Sequence, residues 1–392
     1  FGTPAYVYAP GDIRTRARRF VAAFAALTDD FEVTYASKAA PITAVLRLLA
    51  GEGLSVDVAS GGELYLALNS GFEPRRVHVH GNNKTDAELL QAHEAGVGYV
   101  VLDSFDEIRR AERLFAGSQQ VLVRVTPGGQ GETHASISTG QVDSKFGFGI
   151  AGGSAAQAIE AVQDADHLTL AGLHAHIGSQ LFDLDPYERE IDALAQLASG
   201  LELEVLNVGG GLGIAYTAED RPPAIEEYVS AKVRAVNERF DPVPRIVIEP
   251  GRSLVGNAAV TAYTIGTVKE IPGVRTYLSV DGGMSDNLRP MLYGSRYEAL
   301  IANRAGEPPD TTATVAGLHC ESGDVLVRDA RLAAPGVGDL LVTPATGAYG
   351  FAMANNYNAA LRPPVVFCED GDAELVVRRD SFSDLTARDV AR

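Results

Sequence analysis

The sequence predicts an α/β protein composed of a (β/α)8 barrel of the TIM type and a second, mainly antiparallel β domain. Three observations indicate this: eight short apolar runs alternate with amphipathic stretches, reactive side chains follow those runs, and the alternation ends near residue 257. A repeated order of strand and helix favours parallel pairing of the strands.

The eight predicted barrel strands are rich in β-branched residues and bounded by turn residues. Eight units in roughly 240 residues fit the usual barrel length of about 250 residues better than an open doubly wound sheet, which stays the alternative. The runs are "FEVTYASK" from Phe31, "LSVDVAS" from Leu54, "RRVHVHG" from Arg75, "GYVVLDS" from Gly98, "QVLVRVTP" from Gln120, "LTLAGLHAHIGS" from Leu168, "LEVLNVGGG" from Leu203 and "RIVIEPGR" from Arg245.

Reactive side chains stand at the end of each run. Because the carboxyl ends of barrel strands share one mouth, where active sites of this architecture lie, residues far apart in sequence are expected to converge there. They are Lys38, Asp57, Ser60, His80, Asn82, Asp103, Arg124, His176, Ser179, Gly209 to Gly211, Glu249 and Arg252.

The β-rich runs after residue 257 lack intervening helical repeats, which indicates a second domain. We therefore predict a barrel over residues 14–257 and a β domain formed by residues 1–13 and 258–392.

The composition limits the classes of function. The net charge of −18 repels nucleic acid and anionic membranes at long range, so neither is an expected partner. Two cysteines cannot form a disulfide framework, and no apolar run has the length of a membrane span or opens as a signal peptide. We expect a cytoplasmic protein. Its first residue is Phe1, so we also expect it to be part of a longer chain.

The predicted mouth has side chains that could bind a phosphorylated cofactor such as pyridoxal 5'-phosphate (PLP) through an amine and a glycine loop. Lys38 could form a Schiff base, although a solvated surface lysine is the default interpretation, and Lys84 and Lys145 are rivals. The triplet in "NVGGGLGI" lets backbone N–H groups approach a phosphate, or forms a plain tight turn. A strand-end lysine, a glycine cradle, a carboxylate and an imidazole together are typical of a PLP site.

The motifs, taken in order, resemble those of the fold-type III PLP decarboxylases, which share the alanine racemase-like fold, and most closely the branch that acts on diaminopimelate. They are "YASKA", "DVASGGEL", "HGNNK", "SKFGF", "HAHIGSQ", "GGGLGI", "EPGR", "DGGMSDNLRPMLYG", "CESGD" and "GAYG". The resemblance implies a covalent cofactor bond at Lys38, a stacking role for His176 and contact of Glu249 with the pyridine nitrogen. It further implies that the cofactor is bound or lined by Asp57, Ser179, Gly209, Gly210, Gly211, Gly251, Arg252 and Tyr349.

"HCESGD" places Cys320 directly before Glu321, with Asp324 four positions along. Neighbouring negative charge raises the pKa of a thiol, so Glu321 and Asp324 are expected to favour a proton donor over a nucleophile; the alternative is a small buried residue beside a polar turn. The resemblance implies a homodimer with shared active sites, in which Cys320 comes from the partner and protonates the α-carbon after carbon dioxide leaves.

The resemblance also implies the substrate. Arg252, Arg289, Tyr293, Glu321 and Tyr349 match positions that bind substrate, and a bidentate arginine suits the distal carboxylate of meso-diaminopimelate. The implied product is L-lysine, so the reaction would be the last step of lysine biosynthesis. From the residues alone, "SDNLRP" is an ordinary turn with a solvated arginine.

Several other interpretations stay open. One is a related decarboxylase acting on another basic or carrier-bound amino acid; others are an amino-acid racemase, a regulatory homologue without cofactor and a PLP carrier. His78, His80, His93 and His134 show no metal-ligand spacing with the cysteines and are interpreted as strand-end or surface residues, and no metal is predicted.

Overall fold

The computed structural model describes residues 1–128 and 144–390, and His134 lies outside this part of the chain. Two compact units are present. The barrel unit contains residues 14–213 and 221–253, and the β unit contains residues 1–13, 214–220 and those from 254 onward.

Eighteen strands and eleven α-helices occur in the described residues. The strands are β1 (Ala5–Tyr8), β2 (Phe31–Ala36), β3 (Ser55–Val58), β4 (Val77–Val79), β5 (Tyr99–Leu102), β6 (Gln119–Thr126), β7 (Phe148–Gly149), β8 (Leu168–His174), β9 (Val205–Asn207), β10 (Arg245–Ile248), β11 (Ala259–Ile271), β12 (Arg275–Val280), β13 (Leu300–Ile301), β14 (Thr311–Ala316), β15 (Val325–Leu332), β16 (Leu340–Pro344), β17 (Val365–Glu369) and β18 (Asp372–Val377). The helices are α1 (Pro10–Ala25), α2 (Thr43–Gly51), α3 (Gly61–Asn69), α4 (Asp86–Ala95), α5 (Phe105–Leu114), α6 (Ser154–Gln163), α7 (Asp185–Leu197), α8 (Ile225–Arg239), α9 (Arg252–Val255), α10 (Arg289–Tyr293) and α11 (Phe382–Thr386).

The barrel unit contains a closed sheet of eight parallel strands. β2, β3, β4, β5, β6, β8, β9 and β10 pair in this order, and β10 pairs back to β2. These are the eight predicted strands, so the (β/α)8 barrel is confirmed and the open doubly wound sheet is wrong. β7, which was not predicted, adds two residues beside β6 outside the closed sheet.

Side-chain caps fix where three successive barrel helices begin. Ser60, Thr85 and Ser104 each accept a hydrogen bond from the backbone N–H three residues later, at the starts of α3, α4 and α5. Such caps satisfy N–H groups that the first helical turn leaves unpaired. Each helix therefore starts a few residues after its strand, which keeps the strand-end side chains at one end of the barrel.

The centre of the barrel is packed rather than open. A buried apolar cluster comprises Tyr99, Val101, Leu122, Ala171, Val205 and Val247, from five of its strands. Only glycine fits at position 172 of β8, since a methyl group on Gly172 would overlap the carbonyl oxygen of Val205 in β9. Close approach of these two strands brings the ends of β8 and β9 together.

The β unit is built on a nine-stranded, mainly antiparallel sheet, as predicted. Two of its pairs are parallel, β12 with β14 and β1 with β17, and the other pairs are antiparallel. β15 was not predicted, because its bulged register against β14 and its charged residues break the apolar alternation that marks a strand. In the part of the chain that the structure describes, no helix combines the length and the apolar character that crossing a bilayer requires.

Candidate active site

Strand-end side chains of the barrel unit converge as the sequence predicts. His80, which follows β4, has its Nε2 3.9 Å from an Asp57 oxygen of β3 and 3.0 Å from Oε1 of Glu249, which follows β10. At β5 and β6, Arg124 lies 3.8 Å from Asp103. Asp57, His80 and Glu249 are far apart in the sequence, so they meet because their strands end at the same mouth of the barrel.

Glu249 is the centre of a buried polar network. Asn207 Nδ2 donates to its Oε1 at 2.6 Å, and His174 Nε2 lies in hydrogen-bond contact with its Oε2 at 3.2 Å. Burial raises the pKa of Glu249, but the charge of His80 and the hydrogen bonds of His174 and His80 outweigh burial and hold it well below the usual range. Glu249 is therefore an ionised carboxylate, ready to accept a hydrogen bond from a cationic ring nitrogen.

The two histidines on Glu249 differ in charge. Burial lowers the pKa of His174 to about 4. Burial also opposes the charged form of His80, but the carboxylates of Asp57 and Glu249 outweigh it and raise its pKa. His80 is thus the cationic partner of Glu249 and His174 the neutral one.

Sequence reasoning missed His174 and Asn207 as site residues. His174 stands two positions before His176, and Asn207 two before Gly209, so the period-two alternation of a strand was the available signal. His80 follows β4 and His78 lies within it, but both are buried, so the surface alternative is wrong for these two histidines. His78 Nε2 contacts Glu32 at 3.1 Å, away from the mouth.

Ligand atoms of His80, His174 and Glu249 lie within 4.8 Å of one another, a spacing that also suits a metal ion. The chemistry of the network argues for a ring partner instead. Because the ionised Glu249 can only accept, the hydrogen in this contact belongs to His174 Nε2, and a nitrogen that carries a hydrogen cannot at the same time ligate a metal.

His176 is held by the glycine loop. The Gly210 N–H donates to Nδ1 of His176 at 3.2 Å, which makes Nδ1 an acceptor. Burial, and then the charge of Lys38, lower the pKa of His176 well below its usual value. The ring is neutral at pH 7, as a ring that stacks on a flat cofactor should be.

The glycine triplet forms a cradle that larger residues cannot form. Gly209 and Gly211 have φ values of +57° and +107°. A methyl group on Gly210 would overlap the carbonyl oxygen of Glu249. Beside this loop, Arg252 Nη2 donates to Ser179 Oγ at 3.0 Å. Backbone N–H groups, a hydroxyl and a guanidinium form a donor set for an anion such as phosphate.

Lys38 and Lys84 have different environments. Lys38 is exposed in the short 3-10 turn Ser37–Ala39 that follows β2. Lys84 is buried, and its Nζ donates to the Val101 carbonyl at 2.6 Å and to Glu107 at 2.9 Å. Of these two lysines, only Lys38 presents its amine at the mouth. Gly251 lets the loop after β10 pack here, since a methyl group would lie 3.0 Å from Cβ of Ala36.

Four of the five predicted substrate residues lie in the β unit, and Arg252 lies in the barrel unit. Arg289 begins α10 and is only 6% exposed, so the solvated-turn interpretation of "SDNLRP" is wrong. Its Nη1 donates to the Tyr297 hydroxyl at 2.6 Å, and its guanidinium lies 4.7 Å from the centre of the Tyr216 ring. Tyr293 is half-buried at the end of the same helix. Tyr349 has a φ of +63°, a strained backbone for a side chain of this size.

Cys320 is exposed, which contradicts the alternative of a small buried residue. Asp324 is buried, and its carboxylate accepts from the Met284 N–H at 2.7 Å and the His319 N–H at 2.9 Å. Asp324 therefore orders the turn that carries Cys320. The expected influence of a carboxylate on the thiol now depends on Glu321, which is exposed beside it.

Comparison with known proteins places this geometry in context. Residues 10–256 match the model of the pyridoxal binding domain of pyridoxal-dependent decarboxylases. The diaminopimelate decarboxylase of Bacillus subtilis is 48% identical over 404 residues, which cover 100% of this chain and 92% of that protein. That of Staphylococcus aureus is 44% identical, covering 99% of this chain and 94% of that protein.

Solved structures agree in fold. Diaminopimelate decarboxylase from M. jannaschii superposes with a TM-score of 0.93 at 34% identity, covering 100% of this chain and 93% of that one, and has been solved in complex with L-lysine. The Helicobacter pylori enzyme in complex with L-lysine gives a TM-score of 0.90 at 28% identity, covering 99% and 96%.

Proposed function

The chain belongs to the diaminopimelate decarboxylases, a family of pyridoxal-dependent decarboxylases, and from this premise we propose which of its residues carry out the decarboxylation of meso-2,6-diaminopimelate to L-lysine and carbon dioxide. The observation that carries the proposal is the buried, ionised Glu249 at the barrel mouth, with Asn207 and two histidines around it.

PLP fits the donor set of the barrel unit. When bound, it supplies an electron sink for the electron pair of the bond to the departing carboxylate. Lys38 would hold it covalently through the exposed amine, and Glu249 would keep the pyridine nitrogen protonated. His176 would pack its neutral ring on the cofactor. Asp57 and Gly251 would line this site, while Ser179, Arg252, Tyr349 and the loop of Gly209 to Gly211 would bind the phosphate.

Charge placement supports these roles. A protonated pyridine needs an anion that stays ionised at working pH, and Glu249 meets this requirement because His80 and His174 hold its pKa low. The phosphate needs donors, which the glycine loop and Arg252 offer. The two ends of the cofactor thus require opposite charges, and the barrel mouth has both.

Substrate selection is assigned to the β unit residues with Arg252. Arg289, Tyr293, Glu321, Tyr349 and Arg252 would bind the amino acid, with Arg289 pairing the distal carboxylate. Burial of Arg289 among tyrosines supports this role, because a partly desolvated guanidinium with a fixed orientation binds a planar anion strongly. L-lysine in the complexes of two relatives is the product this reaction would leave.

We assign proton delivery to Cys320. The exposed thiol in a turn ordered by Asp324 is proposed to enter the active site of a second copy of the chain and to protonate the α-carbon after carbon dioxide leaves. The active unit would be a homodimer with shared sites. Both cysteines are unpaired thiols, which supports a reducing location such as the cytoplasm.

The direct test is carbon dioxide release by the PLP-loaded protein from meso-diaminopimelate, L-lysine, L-ornithine and L-arginine in parallel, with identification of each product. Release from diaminopimelate alone, with L-lysine as product, is expected. Release only from another amino acid would overturn the Arg289 assignment and favour the related-decarboxylase alternative. Interconversion of stereoisomers without carbon dioxide would favour a racemase.

A further inference from the structure

A buried lysine that the proposed reaction does not use lies beneath the glycine loop. Lys232, on α8, is 0% exposed. Its Nζ donates to the carbonyl oxygen of Val208 and, at 3.3 Å, to that of Gly209. An amine so completely buried in a barrel helix is unusual, because desolvating an ammonium group is costly.

Tyr228, one turn earlier on α8, contacts the same loop. Its hydroxyl lies within donating distance of the Gly209 carbonyl at 3.3 Å and of the Gly210 carbonyl at 3.2 Å. Lys232 and Tyr228 together therefore hold the carbonyls of residues 208 and 210 toward α8 and share that of Gly209, which also accepts from the Glu249 N–H at 3.1 Å.

The direction of these carbonyls determines the direction of the N–H groups. In a planar trans peptide, the C=O of one residue and the N–H of the next point in opposite directions. The N–H groups of Gly209, Gly210 and Gly211 are thus directed away from α8. That of Gly209 donates to Asn207 Oδ1 at 3.0 Å, and that of Gly210 to His176 Nδ1 at 3.2 Å. The orientation of the loop is therefore coupled to Asn207, which hydrogen-bonds Glu249, and to the ring of His176.

The surroundings of Lys232 keep a charge behind the loop. Glu190 of α7 is buried, and in the described residues neither of its carboxylate oxygens has a hydrogen-bond partner. The rings of Tyr187 and Tyr228 lie with their centres 4.4 and 4.9 Å from the Lys232 amine. Burial lowers the pKa of Lys232 to about 8, against the opposing charges of Glu190 and Glu249, so the ammonium form still predominates at pH 7.

We propose that Lys232 and Tyr228 are positioning residues for the cofactor phosphate, fixing the orientation of the glycine loop that would bind it and, through Lys232, placing a positive charge behind the loop. This inference rests on the proposed function, in which Gly209 to Gly211 form the phosphate cradle. Neither residue contacts the reacting atoms. Their effect is expected in the affinity for the phosphate group rather than in the chemical step.

The test compares two ligands and a matched pair of variants. Apoprotein is titrated with PLP and with pyridoxal, which lacks the phosphate, and the bound-cofactor absorbance is followed. Tyr228→Phe is expected to weaken PLP about 3- to 10-fold, the effect of one hydrogen bond, and to leave pyridoxal unchanged. Lys232→Met is expected to weaken PLP more. Tyr65→Phe is the control: Tyr65 is an exposed tyrosine of α3, so neither affinity should change.

Unchanged PLP affinity in Tyr228→Phe, or an equal loss for both ligands, would overturn the inference. Melting temperatures identify a variant that fails to fold; if Lys232→Met does so, Tyr228→Phe alone decides. Ser179→Ala separates the two proposals. If it weakens PLP relative to pyridoxal while Tyr228→Phe does not, only the positioning role fails. If Ser179→Ala leaves PLP unchanged and wild-type protein binds both ligands equally, the cradle itself is wrong, and the inference with it.

Discussion

The backbone N–H of Gly210 donates a hydrogen bond to Nδ1 of His176 at 3.2 Å. This contact fixes the ring orientation and assigns Nδ1 as an acceptor. A protonated ring would have to break it, since both nitrogens of a charged imidazole are donors.

We therefore expect His176 to stay neutral through the range in which histidines usually titrate. Burial and the charge of Lys38 lower its pKa well below 6.5, whereas Asp57 and Glu249 overcome burial to raise that of His80. Imidazole NMR signals of apoprotein, assigned with His176→Phe and His80→Asn, should show no titration of His176 between about pH 5.5 and 8, while His80 titrates above the usual value. A His176 midpoint near 6.5 would contradict the observed contact.

Gly210→Ala should remove PLP binding. Its methyl group would overlap the Glu249 carbonyl oxygen, a backbone atom that can move only if the loop after β10 moves. We expect a loss of about 1–3 kcal/mol in stability from overpacking, measured by urea denaturation, and loss of cofactor absorbance. Gly51→Ala, where a methyl group meets open space at the end of α2, is the matched control and should change neither quantity.

Lys38→Ala should abolish the near-visible absorbance of covalently held cofactor together with activity. Lys38 is an exposed residue directly after β2, while Lys84 is buried with its amine donating to Val101 and Glu107. Absorbance spectra of the PLP-loaded variants provide the measurement, and Lys269→Ala, an exposed lysine of β11, serves as control. Retention of both properties by Lys38→Ala would move the covalent role to another lysine.

Two inactive variants should complement each other if sites are shared. Lys38→Ala and Cys320→Ala are each expected to have little activity, but mixed dimers would contain one site with both native residues. Random reassortment predicts recovery of about one quarter of wild-type turnover after the two are unfolded and refolded together. Sedimentation establishes the dimer, and refolding of each variant alone is the control. A dimer without recovery would place both residues in the same chain's site.

Ionised Glu32 should stabilise the barrel unit at pH values above the pKa of its carboxyl group. Burial raises the pKa of Glu32, but the hydrogen bond and charge of His78, with Ser55 and Arg245, outweigh burial and hold it at about 2, against 4.5. Because the folded-state pKa is the lower one, the stabilisation is complete above 4.5 and is lost as the pH falls toward 2.

Glu32→Gln should accordingly lose up to about 3 kcal/mol at pH 7, by the value of a pKa unit, and less at pH 3.5. Urea denaturation at both pH values measures the difference from wild type. Glu202→Gln, an exposed glutamate of the same unit, should cost little at either pH. An equal gap for Glu32→Gln at the two pH values would show that packing, not ionisation, matters there.

The barrel and the positions of its strand-end side chains follow from sequence pattern, because strand ends in a parallel barrel share one mouth whatever the loops do. Lys38, Glu249 and the glycine triplet could be selected on that basis. For His174 and Asn207 the alternation of the strand was the only signal, and it gives a polar residue inside a strand no role until its neighbours are known. Lys232 was missed for the same reason, as one lysine within an ordinary amphipathic helix.

Charge arguments from sequence neighbours were less reliable. Asp324 stands four positions from Cys320, yet its carboxylate faces the N–H groups of Met284 and His319. Arg289, within a turn-like sequence, is buried against Tyr297. Both outcomes depend on which distant segment packs beside the residue, and nearest-neighbour spacing contains no information about that.

β1 pairs on one side with β11 and on the other with β17. During synthesis β1 therefore leaves the ribosome long before β11 and β17. The whole barrel segment is synthesised between β1 and β11. Closing so long a loop delays the pairing, and an unpaired strand edge is prone to aggregate in the meantime. Synthesis order thus makes the barrel the earlier folding unit, and a premature stop before Val365 would leave β1 with one edge unpaired.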